Sequence, residues 1–249
     1  MFQIEIDDQQ CNAEAGETIL TVARRHGIAI PTLCHHDGLE PAGACRICVV
    51  EVTQRGRTRL ESACTRPAEE GLVVHTNTDD ICQHRRMIAE LLLARCPKSE
   101  RIQELAREVG VTDTRFDPLD KECVLCGLCV RACQDAIGTS AISFTNRGID
   151  RQVTTPFAIN SEVCIGCGAC ARVCPTGAIT VEDVGDTRYL RYFNTELPLA
   201  QCSECGSRYT TQRRAELTSQ EPHVPDEFRT LCPDCRRKRQ AAALRRYVN

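Results

Sequence analysis

Tryptophan is absent from this chain of 249 residues, and other large rings are few, with six Phe and four Tyr. Domains built this way must fill part of their interior with something other than aromatic side chains. No apolar run approaches the roughly 20 residues of a membrane helix, so direct membrane insertion is not expected. The start, Met1-Phe-Gln-Ile-Glu-Ile, has neither a basic n-region nor an apolar h-region. A secretory leader is therefore not expected, and the cytoplasm is the expected compartment. The formal net charge of -3 is too small to call for nucleic acid or a membrane surface as a partner. No Gly-rich phosphate loop follows a strand, so the chain itself is not expected to bind a dinucleotide. No pattern supplies a catalytic base or nucleophile, and the chain is not expected to be an enzyme alone.

What the chain has in excess is cysteine, nineteen in all. A disulfide scaffold would need an oxidising compartment and usually a shorter chain. The cysteines instead fall in C-x2-C pairs, which is metal-ligand spacing. Two runs stand out, Cys123-Val-Leu-Cys126-Gly-Leu-Cys129-Val-Arg-Ala-Cys133 and Cys164-Ile-Gly-Cys167-Gly-Ala-Cys170-Ala-Arg-Val-Cys174-Pro175. Each is C-x2-C-x2-C-x3-C, the spacing by which bacterial ferredoxins hold [4Fe–4S] clusters. In that fold the fourth cysteine of each run ligates the other cluster. One cluster is thus assigned to Cys123, Cys126, Cys129 and Cys174. The second is assigned to Cys164, Cys167, Cys170 and Cys133.

Before these runs, Phe2–Asp7 alternates as a half-buried strand and residues near Gln10–Ala13 can return as its hairpin partner. Thr18 is a plausible cap for a helix over Ile19–His26, stopped by Gly27. Strands are expected at Val49–Val52 and Leu72–His75. Cys34, Cys45 and Cys48 precede the first strand and Cys64 lies between the two, spaced C-x10-C-x2-C-x15-C. Three thiolates on one irregular loop plus a distant fourth suit a [2Fe–2S] rhomb. Gly43 and Ala44 keep the loop narrow, so that backbone N–H groups can point at sulfur. A zinc site is the competing reading of these four, although zinc knuckles usually pair two C-x2-C units.

Pro31-Thr-Leu-Cys34 and Gly43-Ala-Cys-Arg-Ile-Cys-Val-Val-Glu-Val52 resemble the N-terminal [2Fe–2S] domain of the large iron–sulfur subunit of respiratory NADH dehydrogenase. They are equally similar to the diaphorase iron–sulfur subunits of NAD-linked hydrogenases and formate dehydrogenases, and to the N-terminus of [FeFe] hydrogenases. The segment Gly138–Gly148 and Thr155-Pro-Phe157 carry the resemblance on, to about residue 185. One departure interrupts it. Where the family commonly has a motif of one histidine and three cysteines for a further [4Fe–4S] cluster, this chain reads Glu90-Leu-Leu-Leu-Ala-Arg-Cys96-Pro-Lys-Ser. Cys96 replaces the histidine and the three cysteines are missing, so that cluster is expected to be absent. Cys11, Cys82 and Cys96 are left over and read as inert thiols. His35 and His36 read as neighbours of a ligand rather than ligands.

A helix over Met87–Ala94, and a second capped by Ser99 and running through Val109, make residues 81–116 a helical connector, which Pro118 ends. Ala141–Phe144 and Ala178–Val181 are expected as equivalent short strands after the two runs. Near the C-terminus, Cys202, Cys205, Cys232 and Cys235 form C-x2-C-x26-C-x2-C. Two knuckles suit a four-thiolate zinc ribbon, with a rubredoxin-like iron or another cluster as alternatives. The basic tail Arg236–Arg239 with Arg245 and Arg246 reads as a solvated helix face or as a contact for an acidic subunit.

The expected architecture is α+β. A β-grasp [2Fe–2S] domain spans 1–80, the connector 81–116, a 2[4Fe–4S] ferredoxin domain 117–185, and a zinc-ribbon-like module 186–249. The resemblance implies an electron-transfer subunit carrying one [2Fe–2S] cluster, two [4Fe–4S] clusters and Zn2+. Its implied partners are a flavin- and NAD(H)-binding subunit and a catalytic oxidoreductase subunit. A free-standing polyferredoxin shuttle is the alternative.

Overall fold

The computed structural model describes residues 1–220, 225 and 229–248, with side chains as far as Arg245. Two compact units emerge, and they interleave in sequence. The first comprises Met1–Arg131 with Val173–Ala178, and the second Ala132–Arg172 with Ile179 onward.

In the first unit, β1 (Phe2–Ile6) and β2 (Gln9–Ala13) form the expected hairpin, closed by Asp7 and Asp8, both at positive φ. Helix α1 (Ile19–Arg25) starts at Thr18, whose hydroxyl accepts from the Thr21 N–H. Strands β3 (Val49–Gln54), β4 (Arg57–Ser62) and β5 (Val73–His75) complete a five-stranded sheet in the order β2-β1-β5-β3-β4. Only the central β1–β5 pair is parallel. Its buried face carries Ile4, Ile6, Val50 and Val74 against Leu20 and Val22 of α1. The sequence reading missed β4 because Arg57-Thr-Arg-Leu-Glu-Ser reads as polar. It is an edge strand, and edge strands keep charge. Arg55 and Gly56, both at positive φ, make the two-residue turn that sets its register, Gln54 opposite Arg57.

Helix α2 (Asp79–Arg95) is longer than the apolar stretch from Met87 suggested. It begins at Thr78, whose hydroxyl accepts from the Ile81 N–H, and two aspartates occupy its first turn. Helix α3 (Glu100–Glu108) has Ser99 at its N-cap position as expected, though the serine hydroxyl makes no cap bond. Nor does Pro118 end the helix, because Gly110 at positive φ already has. Ala89 and Leu93 of α2 pack with Ile102, Leu105 and Ala106 of α3, and Leu33 and Ile47 of the cysteine loop join the same cluster. The connector is therefore the apolar cover of that loop. The unit also holds the short helix α4 (Leu128–Arg131).

The second unit contains a small hairpin, β6 (Ser143–Thr145) with β7 (Gln152–Thr154), and helix α5 (Ala169–Arg172). Four antiparallel strands follow, β8 (Glu182–Val184), β9 (Thr187–Leu190), β10 (Thr195–Gln201) and β11 (Arg208–Thr211), in the order β11-β10-β9-β8. Helix α6 (Gln212–Gln220) packs on β10 and β11, and α7 (Pro233–Val248) ends the described chain. The expected equivalent strands are corrected here. Residues 178–181 form no strand; Ile179 is buried, and pairing starts only at Glu182, where the Gly185-Asp186 turn lets β8 meet β9. The first repeat pairs instead with the long segment between the runs, which offers β7.

Candidate iron–sulfur and metal sites

All nineteen cysteines are free. The loop from Cys34 to Cys48 brings the first four sulfurs together as two pairs. Cys48 and Cys64 place their sulfurs 3.4 Å apart, and the Cys45 N–H points at the Cys34 sulfur at 3.4 Å. Gly43, at φ +60°, lets this loop turn beneath Thr65, whose methyl would lie 3.2 Å from a Cβ there. Within each pair one sulfur is the acceptor. A hydrogen bond from the Cys45 thiol holds Cys34 down to about 5 against the pull of burial, with help from the backbone N–H groups of Cys45 and Ala44 and from the Arg131 charge. The bond to Cys34 pushes Cys45 up. Likewise a bond from Cys64 holds Cys48 down to about 7, and Cys64 moves up. A pair that shares one proton is a pair that one metal ion can hold, and two such pairs fit a two-iron rhomb.

Arginines from outside the loop grip its carbonyls. Arg85 of α2 is buried and donates to Ile47 O at 3.2 Å and Val49 O at 2.8 Å, on either side of Cys48. Arg131 of α4 donates to Cys34 O at 2.6 Å and also to Glu40 O. His35 bonds Asp37 through Nε2, and the His36 ring accepts the Gly38 N–H through Nδ1.

The same unit gathers Cys123, Cys126 and Cys129 with Cys174, the last residue of the other run. Burial pushes Cys126 up to about 11, and its charged neighbours include Cys123, Cys174 and Cys34. The Leu125 N–H points at the Cys123 sulfur at 3.4 Å, with Leu125 at φ +57°. Arg95 donates to Cys123 O at 2.7 Å. Cys96 lies buried close by, and burial pushes its thiol up to about 12.

In the second unit Cys133 joins Cys164, Cys167 and Cys170. Burial pushes Cys170 up to about 12, and the next influences are Cys167, Cys164 and, more weakly, Cys133. The Gly166 N–H points at the Cys164 sulfur at 3.4 Å, and the Ala141 N–H at the Cys133 sulfur at 3.3 Å. Each set thus offers a buried thiol raised by its surroundings, Cys126 in one and Cys170 in the other, with backbone N–H groups facing sulfurs of the set. That donor set fits a cubane, whose iron charge deprotonates its ligands.

The fourth cysteine group differs in scale. The sulfurs of Cys202, Cys205, Cys232 and Cys235 all lie within 4.8 Å of one another, and Cys205 and Cys232 are 3.7 Å apart. A tetrahedral ion with sulfur at about 2.3 Å has edges of about 3.8 Å, so this site is sized for one ion rather than a cluster. The β10–β11 connection supplies one knuckle and the start of α7 the other. Arg239 of α7 pairs with Glu204, inside the first knuckle, at 2.7 Å, and Arg237 pairs with Asp234. Part of the basic tail is therefore satisfied within the chain; the Arg246 side chain lies outside the described residues. Burial would push Cys202 up, but the N–H groups of Cys205, Cys232 and Glu204 and the Cys205 thiol outweigh it and hold the group at about 6. The Cys232 N–H is 3.3 Å from that sulfur. Cys232 is also held down, chiefly by the Cys235 N–H, and burial moves Cys235 up.

Sequence spacing alone did not reveal the arginines that hold the ligand loops, since Arg85, Arg95 and Arg131 belong to helices distant from the carbonyls they reach. Among the described residues no helix is long and apolar enough to cross a membrane.

Residues 1–79 match the family model of the 2Fe-2S iron-sulfur cluster binding domain, and residues 122–178 and 163–207 match that of the 4Fe-4S dicluster domain. An NADH-quinone oxidoreductase subunit of Rhizobium meliloti is 34% identical over 206 residues, covering 72% of this chain and 24% of that protein. The HndD subunit of an NADP-reducing hydrogenase from Solidesulfovibrio fructosivorans is 33% identical over 213 residues, covering 72% of this chain and 36% of that one. The chain thus spans about a quarter to a third of the length of these curated relatives. A chain from the crystal structure of an NAD+-reducing [NiFe]-hydrogenase in the H2-reduced state aligns with TM-score 0.61 and 30% identity, covering 71% of this chain and 85% of that one.

The single-ion site carries a pH prediction. A depressed thiol contributes as a thiolate above its folded pKa and loses that contribution as pH falls through it. Above about 6, Cys202 is already deprotonated and metal need not displace its proton; below, it must. Affinity for Zn2+, measured by chelator competition between pH 5 and 8, is expected to fall more steeply per pH unit below about pH 6. An unchanged slope across that range would contradict the assigned Cys202 environment.

Proposed function

This chain belongs to the family of iron–sulfur electron-transfer subunits of NAD-linked oxidoreductases, and on that premise we propose that it relays single electrons within a cytoplasmic complex. The relay runs between a flavin- and NAD(H)-binding subunit and a catalytic subunit such as a hydrogenase or formate dehydrogenase. The observation that carries this reading is the bond from Arg131 to Cys34 O at 2.6 Å. Arg131 ends the helix that holds Cys129, so one side chain fixes the [2Fe–2S] loop against the first [4Fe–4S] run. Adjacent one-electron sites at a fixed separation are what a relay needs.

The ligand sets proposed are Cys34 with Cys45, and Cys48 with Cys64, for the two irons of the [2Fe–2S] cluster. Cys123, Cys126, Cys129 and Cys174 hold one [4Fe–4S] cluster; Cys133, Cys164, Cys167 and Cys170 hold the other. The clusters supply the one-electron chemistry when bound. The chain supplies everything else. Its thiolates anchor the iron, and its N–H groups at Ala44, Cys45, Leu125, Ala141 and Gly166 offset charge on sulfur. Leu33 and Ile47, covered by α2 and α3, exclude water from the first site. Zinc is proposed for Cys202, Cys205, Cys232 and Cys235. Four thiolates close such a site, so its role is structural.

Anaerobic purification of a tagged chain from its native host is expected to bring flavin-containing and catalytic subunits at fixed stoichiometry. Recovery as a lone soluble chain would favour a shuttle, and turnover of hydrogen, formate or NADH by the isolated chain would refute the relay. Cys133→Ser is expected to abolish the EPR signal of the cluster on Cys164, Cys167 and Cys170 and to remove about four irons. Loss of the Cys123 cluster instead would contradict the crossed assignment.

A further inference from the structure

We infer that Arg188 and Arg213 are positioning residues for the [4Fe–4S] site of Cys133, Cys164, Cys167 and Cys170, and that the strands and helix carrying them serve that site. The inference rests on the ligand reading above and gives the C-terminal module a task beyond holding its own ion.

The loop from Ser161 to Gly166 has its carbonyls engaged from one side. Arg213, at the start of α6, donates to Ser161 O at 2.8 Å and Cys164 O at 3.0 Å. Arg188 of β9 donates to Gly166 O at 2.8 Å while its guanidinium also pairs with Asp183. The Thr211 hydroxyl, on the fully buried end residue of β11, donates to Ile165 O. Three side chains from β9, β11 and α6 therefore hold four carbonyls of one ligand loop. On the other side of that loop, the Gly166 N–H points at the Cys164 sulfur. The peptide that carries this N–H has its carbonyl, Ile165 O, bonded by the Thr211 hydroxyl, which polarises it and makes the N–H a stronger donor, while the arginines hold the carbonyls on either side. Positive charge held at the loop by Arg213 and, partly offset by Asp183, by Arg188 favours the more negative, reduced state of the site.

The two cysteine runs provide an internal comparison. Leu125 and Gly166 occupy equivalent positions and share a left-handed backbone, at φ +57° and +64°. The first run accommodates a leucine. At Gly166 a Cβ would lie 2.6 Å from the Thr211 methyl and 2.7 Å from Leu197 of β10. The glycine is required by the module packed against it. The carbonyls match as well: Arg95 reaches Cys123 O in the first run, and Arg213 reaches the equivalent Cys164 O in the second. The first run draws its arginine from the connector and the second from the C-terminal module.

The test is an EPR-monitored redox titration of the anaerobically purified full chain carrying Arg213→Gln, Arg188→Gln, or both. The signal lost in Cys133→Ser identifies the site. Its potential is expected to move negative in each variant and further in the double variant, while the [2Fe–2S] and other [4Fe–4S] potentials stay in place. Arg213→Lys, which keeps the charge without the planar guanidinium, is expected to leave a smaller shift than Arg213→Gln. Thr211→Val, which keeps both arginines, is expected to give a smaller shift of the same sign. No shift in the double variant, or an equal shift of every signal, would overturn the inference. A wild-type chain that shows no second [4Fe–4S] signal would refute the ligand reading instead, and the inference with it.

Discussion

A thiolate buried in protein needs positive charge or N–H donors beside it, and the arrangement of this chain follows from that constraint. At Cys126 and Cys170 burial, reinforced by neighbouring cysteines, raises the thiols. Where backbone N–H groups converge, as on Cys202, the thiol is held low despite burial. Loop conformation decides which case applies. Positive φ at Gly43, Leu125 and Gly166 turns the peptide planes and directs N–H groups inward, which leaves carbonyls outward. Those carbonyls still need donors. Arginines meet that need, and each comes from an element beyond the ligand loop it serves.

This gives the accessory elements a common purpose. Helices α2 and α3 cover the [2Fe–2S] loop with Leu93, Ile102 and Leu105, while Arg85 and Arg95 of α2 grip two different ligand loops. The strands after Glu182 grip the third. On the proposed reading, the elements that surround the clusters set their spacing and electrostatics, and Cys96 lies in the apolar packing of the connector. The few aromatic residues are consistent with interiors that are organised by sulfur as much as by rings.

Much of this was legible in the sequence because ligand spacing is local. The C-x2-C pairs and the cap at Thr18 depend on residues a few positions apart. Strand β4 was not legible, since its Arg57 and Arg59 belong to an exposed edge and mask the alternation. The expected strand at 178–181 failed because the partner that creates pairing, β9, joins only from Glu182. The arginine contacts were invisible for a different reason. Arg131 meets Cys34 across 97 positions and Arg213 meets Cys164 across 49, and no local pattern encodes such distances. The interleaving of the two units, with Val173–Ala178 returning to the first, likewise exists only in three dimensions.

The most direct test of the account is a metal and sulfide analysis of the anaerobically purified chain. One [2Fe–2S] cluster, two [4Fe–4S] clusters and a closed four-thiolate ion site predict about ten iron and ten labile sulfide, with one zinc, per chain. Markedly less iron and sulfide, or a metal-free chain joined by disulfides, would contradict it.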